Sequence, residues 1–186
     1  MDESDESIVL RVQTGDHEAY GEIIKRYEHK LARYGSRFIG SHDVRTDIVQ
    51  DVFVKAYMNL QSFKTNERFS PWIYRIAHNS FVNEIRRASR YSLLDTILDT
   101  DTLLPHLTAP ETADQDALAR EEVLAMETQL NALKPAEREI IILYYFEELS
   151  YDAISDVLKI PTSAVGVKLH RAKRKLKNLY QKNHHD

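Results

Sequence analysis

The residues best suited to chemistry lie near the C-terminus, where every charged side chain between positions 159 and 182 is lysine or arginine. At helical spacing, Val165, Leu169 and Leu176 share one face with Ala172 and Leu179. The opposite face carries groups that can contact a base edge, because arginine pairs bidentately with guanine and an apolar side chain can touch the thymine methyl. This face and its edges comprise Ser163, Val167, Lys168, His170, Arg171 and Arg174. The pattern favours a helix that reads the DNA major groove, and the alternative is a solvated basic face on a terminal helix.

A second constellation of polar groups lies in the N-terminal half. A helix predicted from Pro71 to about Arg90 places Asn79, Asn83 and Arg86 on one face, with Arg87 at its edge. The preceding loop, 63–69, combines aromatic, amide and basic side chains: Phe63, Lys64, Asn66, Arg68 and Phe69. Amides and arginines can bind base edges, and aromatic rings can stack on an unpaired base. The alternative is that Phe63, Phe69 and Trp72 only close a helical core.

Composition limits the other function classes. The chain has 186 residues, no cysteine and a net charge of -4. The absence of cysteine excludes disulfides and cysteine-ligated metals and suits a reducing cytoplasm. The sequence holds no His-Glu-x-x-His pair, phosphate loop or nucleophile motif, so we expect neither an enzyme nor a cofactor or metal site. Without a long apolar run or a basic, apolar leader, we expect no membrane insertion and no secretory signal.

The elements that position these groups are predicted to be helices. Apolar residues recur at spacings of three and four from Tyr20 to Phe38, from Val44 to Leu60 and again after Pro71. Candidate helix starts are Asp16, Ser70-Pro71, Pro135, Ser150 and Thr162, since short polar side chains and proline are favoured there. The short helix after Ser150, the turn at Pro161 and the basic helix have the proportions of a helix-turn-helix.

The fold class is therefore all-α, with two small helical domains joined by a flexible acidic linker. We predict an N-terminal domain over 1–92, a linker over 93–118 and a C-terminal helix-turn-helix domain over 119–186. The linker prediction depends on two prolines, many Thr and Asp residues and only scattered leucines. Between Arg90 and Arg120 no lysine or arginine occurs, while six acidic residues do.

Three motif strings in the C-terminal half resemble one family. Leu133-Lys134-Pro135-Ala136-Glu137-Arg138-Glu139, the run 145–151 with Ile160-Pro161, and Leu169-His170-Arg171-Ala172-Lys173 are similar to the promoter-binding domain of extracytoplasmic-function (ECF) sigma factors, in the sigma-70 family. The resemblance implies that this domain reads the -35 promoter element. One departure from the family pattern is Gly166, in the segment where the chain enters the recognition helix. A glycine inside a helix costs about 0.5–1 kcal/mol of stability relative to alanine.

The N-terminal half carries the same resemblance. Asp47-Ile48-Val49-Gln50-Asp51-Val52-Phe53, Ala56-Tyr57 and Phe69-Ser70-Pro71-Trp72-Ile73-Tyr74-Arg75-Ile76-Ala77-His78-Asn79 are similar to the family's first domain. The resemblance implies core-polymerase binding by Asp47, Gln50, Asp51, Phe53 and Lys55. It assigns opening and reading of the -10 element to the loop 63–69 and to Asn79, Asn83, Arg86 and Arg87. The family often has aspartate at the position of Asn83.

The resemblance also implies partners. They are the RNA polymerase core, promoter DNA and an anti-sigma factor, in a cytoplasmic protein whose acidic linker threads a basic channel of the polymerase. The alternative function is an autonomous helix-turn-helix regulator, which would leave the motifs 47–79 without a role. Binding to purified core polymerase discriminates the two, because a sigma factor requires core and a regulator ignores it.

Overall fold

The computed structural model describes residues 3–92, 129–130 and 132–183, and throughout these ranges the regular elements are helical. The N-terminal half contains four α-helices, α1 (Asp5–Gln13), α2 (Tyr20–Ser36), α3 (His42–Asn59) and α4 (Phe69–Ser92). The described C-terminal part contains α5 (Pro135–Ile141), a π-helical segment (Ile142–Phe146), α6 (Tyr151–Leu158) and α7 (Thr162–Asn183). The predicted linker and most of the helical pattern from Ala119 to Leu130 lie outside the described residues.

The first helix was missing from the sequence prediction, although its signals are present. Ser4 caps α1 by accepting a hydrogen bond from the Ser7 amide at 3.2 Å, and Ile8, Val9 and Val12 are buried. At its end, Arg11 binds Asp16 at 2.6 Å, and this hydrogen bond lowers the pKa of the Asp16 carboxyl. Asp16 in turn caps the 3₁₀ turn that leads into α2, as its position predicts.

Helices α2 and α4 pack closely because a glycine lies between them. Gly35 is buried in α2, and a Cβ built on it would lie 2.2 Å from the ring of Phe81 in α4. Phe81 also stacks on Phe38, with ring centroids 5.8 Å apart and an interplanar angle of 9°. The predicted apolar face of α2 is confirmed, since Tyr20, Ile23, Tyr27, Leu31, Tyr34 and Phe38 are all buried.

The predicted helix starts are confirmed at Pro135 and Ser150 and are wrong by one or two residues at two others. Ser150 accepts a hydrogen bond from the Ala153 amide at 3.2 Å. Helix α4 begins at Phe69, so Ser70 lies inside its first turn, and the Phe69 amide donates to the Glu6 carboxylate at 2.9 Å. Thr162 is the first residue of α7, and its hydroxyl donates to Asp152 instead of capping the helix.

The two halves of the chain contact each other. Helix α4 packs against α6, and the buried residues of both halves form one hydrophobic cluster. Partly buried side-chain hydrogen bonds cross between the halves, among them the one from Tyr34 to Glu139 at 3.0 Å. Within the residues described, no helix is long and apolar enough to cross a membrane.

Candidate nucleic-acid interface

Helix α7 presents the basic face that its sequence predicts. Val165, Leu169 and Ala172 are buried, at 0%, 2% and 0% exposure. All six predicted contact residues are exposed: Ser163, Val167, Lys168, His170, Arg171 and Arg174. In the described part of the chain, no acidic side chain forms an ion pair with the three cations of this set. They are therefore available to a phosphate or a base edge.

Other lysines of α7 are engaged by the protein itself. The Lys175 ammonium lies 2.6 Å from the Glu137 carboxylate of α5. The Lys173 ammonium lies 5.4 Å from the centroid of the Tyr145 ring, and a hydrogen bond with Tyr145 raises the pKa of Lys173. Both contacts join α7 to the preceding elements, so these two lysines hold the helix as well as contributing positive charge.

The turn before α7 is fixed by local hydrogen bonds. Lys159 ends α6 in the left-handed conformation, with φ at 54°. The Ser155 hydroxyl then donates to the Ile160 carbonyl at 2.6 Å. These contacts set the angle at which α7 leaves α6, which is what a helix-turn-helix requires to place its second helix in a groove.

Gly166 of α7 lies close to an aromatic side chain of α6. A Cβ at this position would lie 3.3 Å from the Tyr151 ring of α6. An alanine at this position would require the Tyr151 ring, which is 40% exposed, to shift by a few tenths of an ångström.

In the N-terminal half, the polar face of α4 borders a cleft of about 360 Å³. Lys55, Asn59 and Ser62 line it from the α3 side, and Trp72, Ile76, Asn79, Ser80 and Asn83 line it from α4. Asn79, Asn83, Arg86 and Arg87 are exposed, although Arg87 is paired with Glu84 at 3.0 Å. The cleft thus combines an indole face with three amides, those of Asn59, Asn79 and Asn83, and these are groups that can stack on a base and bind its edge.

The loop between α3 and α4 divides into exposed polar and buried aromatic residues. Lys64, Asn66 and Arg68 are exposed, as a binding role requires. Phe63 and Phe69 are 4% and 0% exposed, with ring centroids 5.5 Å apart. The prediction that these two rings contact DNA is therefore wrong for this structure, because both are core residues that support the loop.

Sequence reasoning missed the support that α1 gives to this loop. Asp5 and Glu6 of α1 line a polar cleft of about 470 Å³ together with Asn66 and Arg68. Asp5 also pairs with Arg26 at 2.7 Å, and Tyr27 donates to it at 2.5 Å. Burial, followed by this hydrogen bond, raises the pKa of Tyr27.

Helix α3 exposes the predicted polymerase-binding residues with one exception. Asp47, Gln50 and Asp51 are exposed, and Lys55 lies 2.6 Å from Asp51 and 3.1 Å from the Ser80 hydroxyl. Phe53 is only 6% exposed, so its predicted contact with a partner is corrected to a core role.

The same helix exposes two apolar side chains that the sequence reasoning missed. Val54 and Met58 are 55% and 76% exposed, and they continue the helical stripe of Asp47 and Asp51. Their positions, seven residues after Asp47 and Asp51, are the sequence feature from which their exposure on the same face could have been predicted. Among the described residues, no group of three metal-ligating side chains occurs.

Comparisons with known proteins agree with this architecture. The Sigma-70 region 2 family matches residues 23–91, and the Sigma-70, region 4 family matches residues 124–176. Over 91% of its length the chain is 31% identical to the ECF RNA polymerase sigma factor SigW of Bacillus subtilis, covering 92% of that protein. It is 32% identical to the ECF RNA polymerase sigma-E factor of Escherichia coli K12, covering 96% of this chain and 95% of that one.

Solved structures show the same fold. CnrH in complex with the cytosolic domain of CnrY matches with a TM-score of 0.68 and 23% identity, over 96% of this chain and 98% of that one. The sigma factor RpoE of Bartonella quintana, in complex with the anti-sigma factor NepR, matches with a TM-score of 0.67 and 20% identity, over 87% and 96%. The two family matches and the two relatives define a sigma-70-type transcription initiation factor. The chain belongs to the ECF RNA polymerase sigma factors.

Proposed function

We propose that this chain binds core RNA polymerase and directs it to promoters through two readers, one for the -10 and one for the -35 element. The observation that carries the proposal is the pair of exposed polar faces, on α4 and on α7, each in a range matched by its own sigma region. The domains 1–92 and 119–186 contain these matched ranges, with the linker 93–118 between them.

Core polymerase would bind the outer face of α3. Asp47, Gln50 and Asp51 supply the polar contacts, and Val54 and Met58 supply apolar area that is exposed in the free protein. A central apolar contact with a charged rim is the usual composition of a protein interface. Lys55 adjoins both this face and the cleft of α4.

The -10 element would be read at the cleft between α3 and α4. Trp72 offers a stacking surface, and Asn79 and Asn83 offer donors and acceptors for the edge of an unpaired base. Lys64, Asn66 and Arg68 of the loop, with Arg86 and Arg87, would hold the adjoining strand. Phe63 and Phe69 act here only by shaping the loop.

The -35 element would be read by α7 in the major groove. Arg171 and Arg174 can pair with guanine, Val167 can contact a thymine methyl, and Ser163, Lys168 and His170 complete the face. An autonomous helix-turn-helix regulator explains α6 and α7 equally well. It leaves the sigma region 2 match and the cleft at Trp72 without a role.

Regulation and location follow from the same proposal. The two structural neighbours were solved with CnrY and with the anti-sigma factor NepR. We infer that this chain is also held by an anti-sigma factor, that it acts in the cytoplasm and that it has no catalytic activity of its own.

The deciding experiment is run-off transcription with purified core across a promoter library. We expect transcripts only when chain and core are both present, from promoters that share two elements. Asn79→Ala should change base preference within the -10 element and reduce permanganate reactivity of the opened strand. Glu28→Gln, an exposed change on α2, is the matched control. Sequence-specific DNA binding by a chain that fails to bind core would contradict the proposal.

A further inference from the structure

Two carboxylates of the C-terminal half are buried against the N-terminal half. The Glu147 side chain is 1% exposed, accepts a hydrogen bond from the Tyr74 hydroxyl and lies 3.3 Å from the Arg33 guanidinium. The Glu139 side chain is 13% exposed, accepts a hydrogen bond from Tyr34 at 3.0 Å and lies 2.6 Å from His78 Nδ1. All four partners belong to α2 and α4.

These contacts are specific rather than a general apolar association. Burying a carboxylate costs free energy unless hydrogen bonds or opposite charges compensate. Glu139 Oε1 and Glu147 Oε2 each meet two such partners, while Glu147 Oε1 is buried without a hydrogen-bond partner among the described residues. Beside them, the Arg37 guanidinium lies 4.2 Å from the centroid of the Phe146 ring. Burial, followed by the Glu147 charge, raises the pKa of Tyr74, so its hydroxyl stays protonated and able to donate.

We propose that Arg33, Tyr34, Tyr74, His78, Glu139 and Glu147 form a latch that holds the free protein closed and that core polymerase must open. The inference rests on the proposed function, because it concerns how the two readers reach their two elements. It differs from that function in assigning these six residues, none of which belongs to either reader.

The closed arrangement leaves both readers uncovered. At about 100° per residue, Asn79 and Asn83 lie about 100–140° around α4 from His78, away from the latch. They are exposed, as are the contact residues of α7. The latch therefore does not cover the polar face of α4 or that of α7. Its effect is to hold these two faces close together.

In the closed state the distance between the two readers is shorter than the distance between the two promoter elements. Elements centred near -10 and -35 are about 25 base pairs apart, or about 85 Å along B-DNA. A compact chain of 186 residues has a radius of gyration of about 16 Å. With the halves in contact, only one reader can be on its element at a time. The latch must open before both can bind.

A closed state also weakens binding to core. When only a fraction of the molecules is open, the apparent dissociation constant of a partner that needs the open state rises in proportion. Breaking the latch should therefore tighten binding to core without any new contact.

The test uses the full chain and a charge reversal. Glu147→Lys places an ammonium against Arg33 in the closed state, whereas in the open state the side chain faces water. Glu148→Lys makes the same change of net charge at the neighbouring exposed position and is the matched control. Tyr74→Phe removes one hydroxyl from the opposite side of the contact and serves as the second latch variant. Because the chain has no cysteine, Glu18→Cys with Asn178→Cys gives two unique label positions, both exposed.

We expect a single narrow distribution of inter-label distances by pulsed electron resonance in the parent and in Glu148→Lys. Glu147→Lys and Tyr74→Phe should show a longer, broader distribution at unchanged helicity, and Glu147→Lys should bind core about ten-fold more tightly. An unchanged distance in both latch variants would overturn the latch, and a longer distance without tighter core binding would overturn its inhibitory role. A parent that shows the narrow distribution yet never binds core would overturn the proposed function and leave the closed contact standing.

Discussion

The cations of α7 fall into two groups at the scale of single residues. Lys173 and Lys175 are in contact with Tyr145 and Glu137, while Arg171 and Arg174 project from the helix without an acidic partner among the described residues. A side chain held by its own protein can contribute charge, but it is poorly placed to leave its partner for a base. The two arginines are therefore the better candidates for base recognition.

Arg171 and Arg174 should give sequence-specific losses that Lys177 does not. If either arginine pairs with a guanine, its replacement by alanine should cost about 1–3 kcal/mol at that base pair and flatten preference there. Lys177→Ala should weaken binding to all sequences about equally and lower the salt slope by about one ion. Each variant removes one charge, so bulk electrostatics predicts equal effects. Holoenzyme binding to single-base promoter variants at several salt concentrations makes the comparison. Equal, sequence-blind losses would move base reading to Ser163, Val167, Lys168 or His170.

The outer face of α3 allows a second test at this scale. Gln50→Ala with Asp51→Ala should reduce co-purification with core, because both side chains are exposed on the proposed interface. Stability should change little, since the Asp51–Lys55 pair is an exposed ion pair, a kind worth at most about 1 kcal/mol. Asp43→Asn, whose side chain is 99% exposed in the first turn of the same helix, is the control. Undiminished co-purification would remove α3 from the polymerase interface.

At the scale of elements, the sequence predicts those features of a helix that depend on residues close together in the chain. The apolar face of α2, the start of α5 at Pro135, the Ser150 cap and the buried face of α7 all follow from spacing or cap chemistry. The roles of Phe63, Phe69 and Phe53 did not follow, because an aromatic ring beside polar residues has the same pattern whether it is buried or exposed. Helix α1 was missed because its burial depends on α2 and the 63–69 loop, which lie far along the chain.

Gly35 of α2 also depends on a residue far along the chain, Phe81 of α4. We therefore expect alanine substitutions at Gly35 and at Gly21, in the same helix, to have opposite effects on stability. Gly35→Ala should destabilise the protein by about 1–3 kcal/mol, because the added methyl group meets the buried Phe81 ring at 2.2 Å. Gly21→Ala, in the same helix with no atom within 4 Å of its Cβ, should stabilise it by about 0.5–1 kcal/mol. Urea unfolding followed by circular dichroism measures both. A neutral Gly35→Ala would mean that α2 and α4 are less closely packed than described.

At the scale of the whole molecule, the contact between the halves could not be predicted from sequence. Glu139 and Glu147 are acidic residues, which are usually solvated. Their partners on α2 and α4 are 61 to 114 residues away, so no local pattern connects them. The resemblance to sigma factors gives the two domains but not their arrangement, which depends on the pairing of particular buried charges.

A shared core and a polar latch predict that the two halves unfold together. Trp72 is the chain's one tryptophan and reports on the N-terminal half, whereas circular dichroism reports on all the helices. In the parent, the two signals should give coincident urea transitions, as a cooperative unit requires. Glu147→Lys should separate them, because domains that no longer contact each other unfold according to their own stabilities. Glu148→Lys should keep them coincident. Separate transitions already present in the parent would mean that the contact contributes too little to couple the halves, and the closed state would then be a minor one in solution.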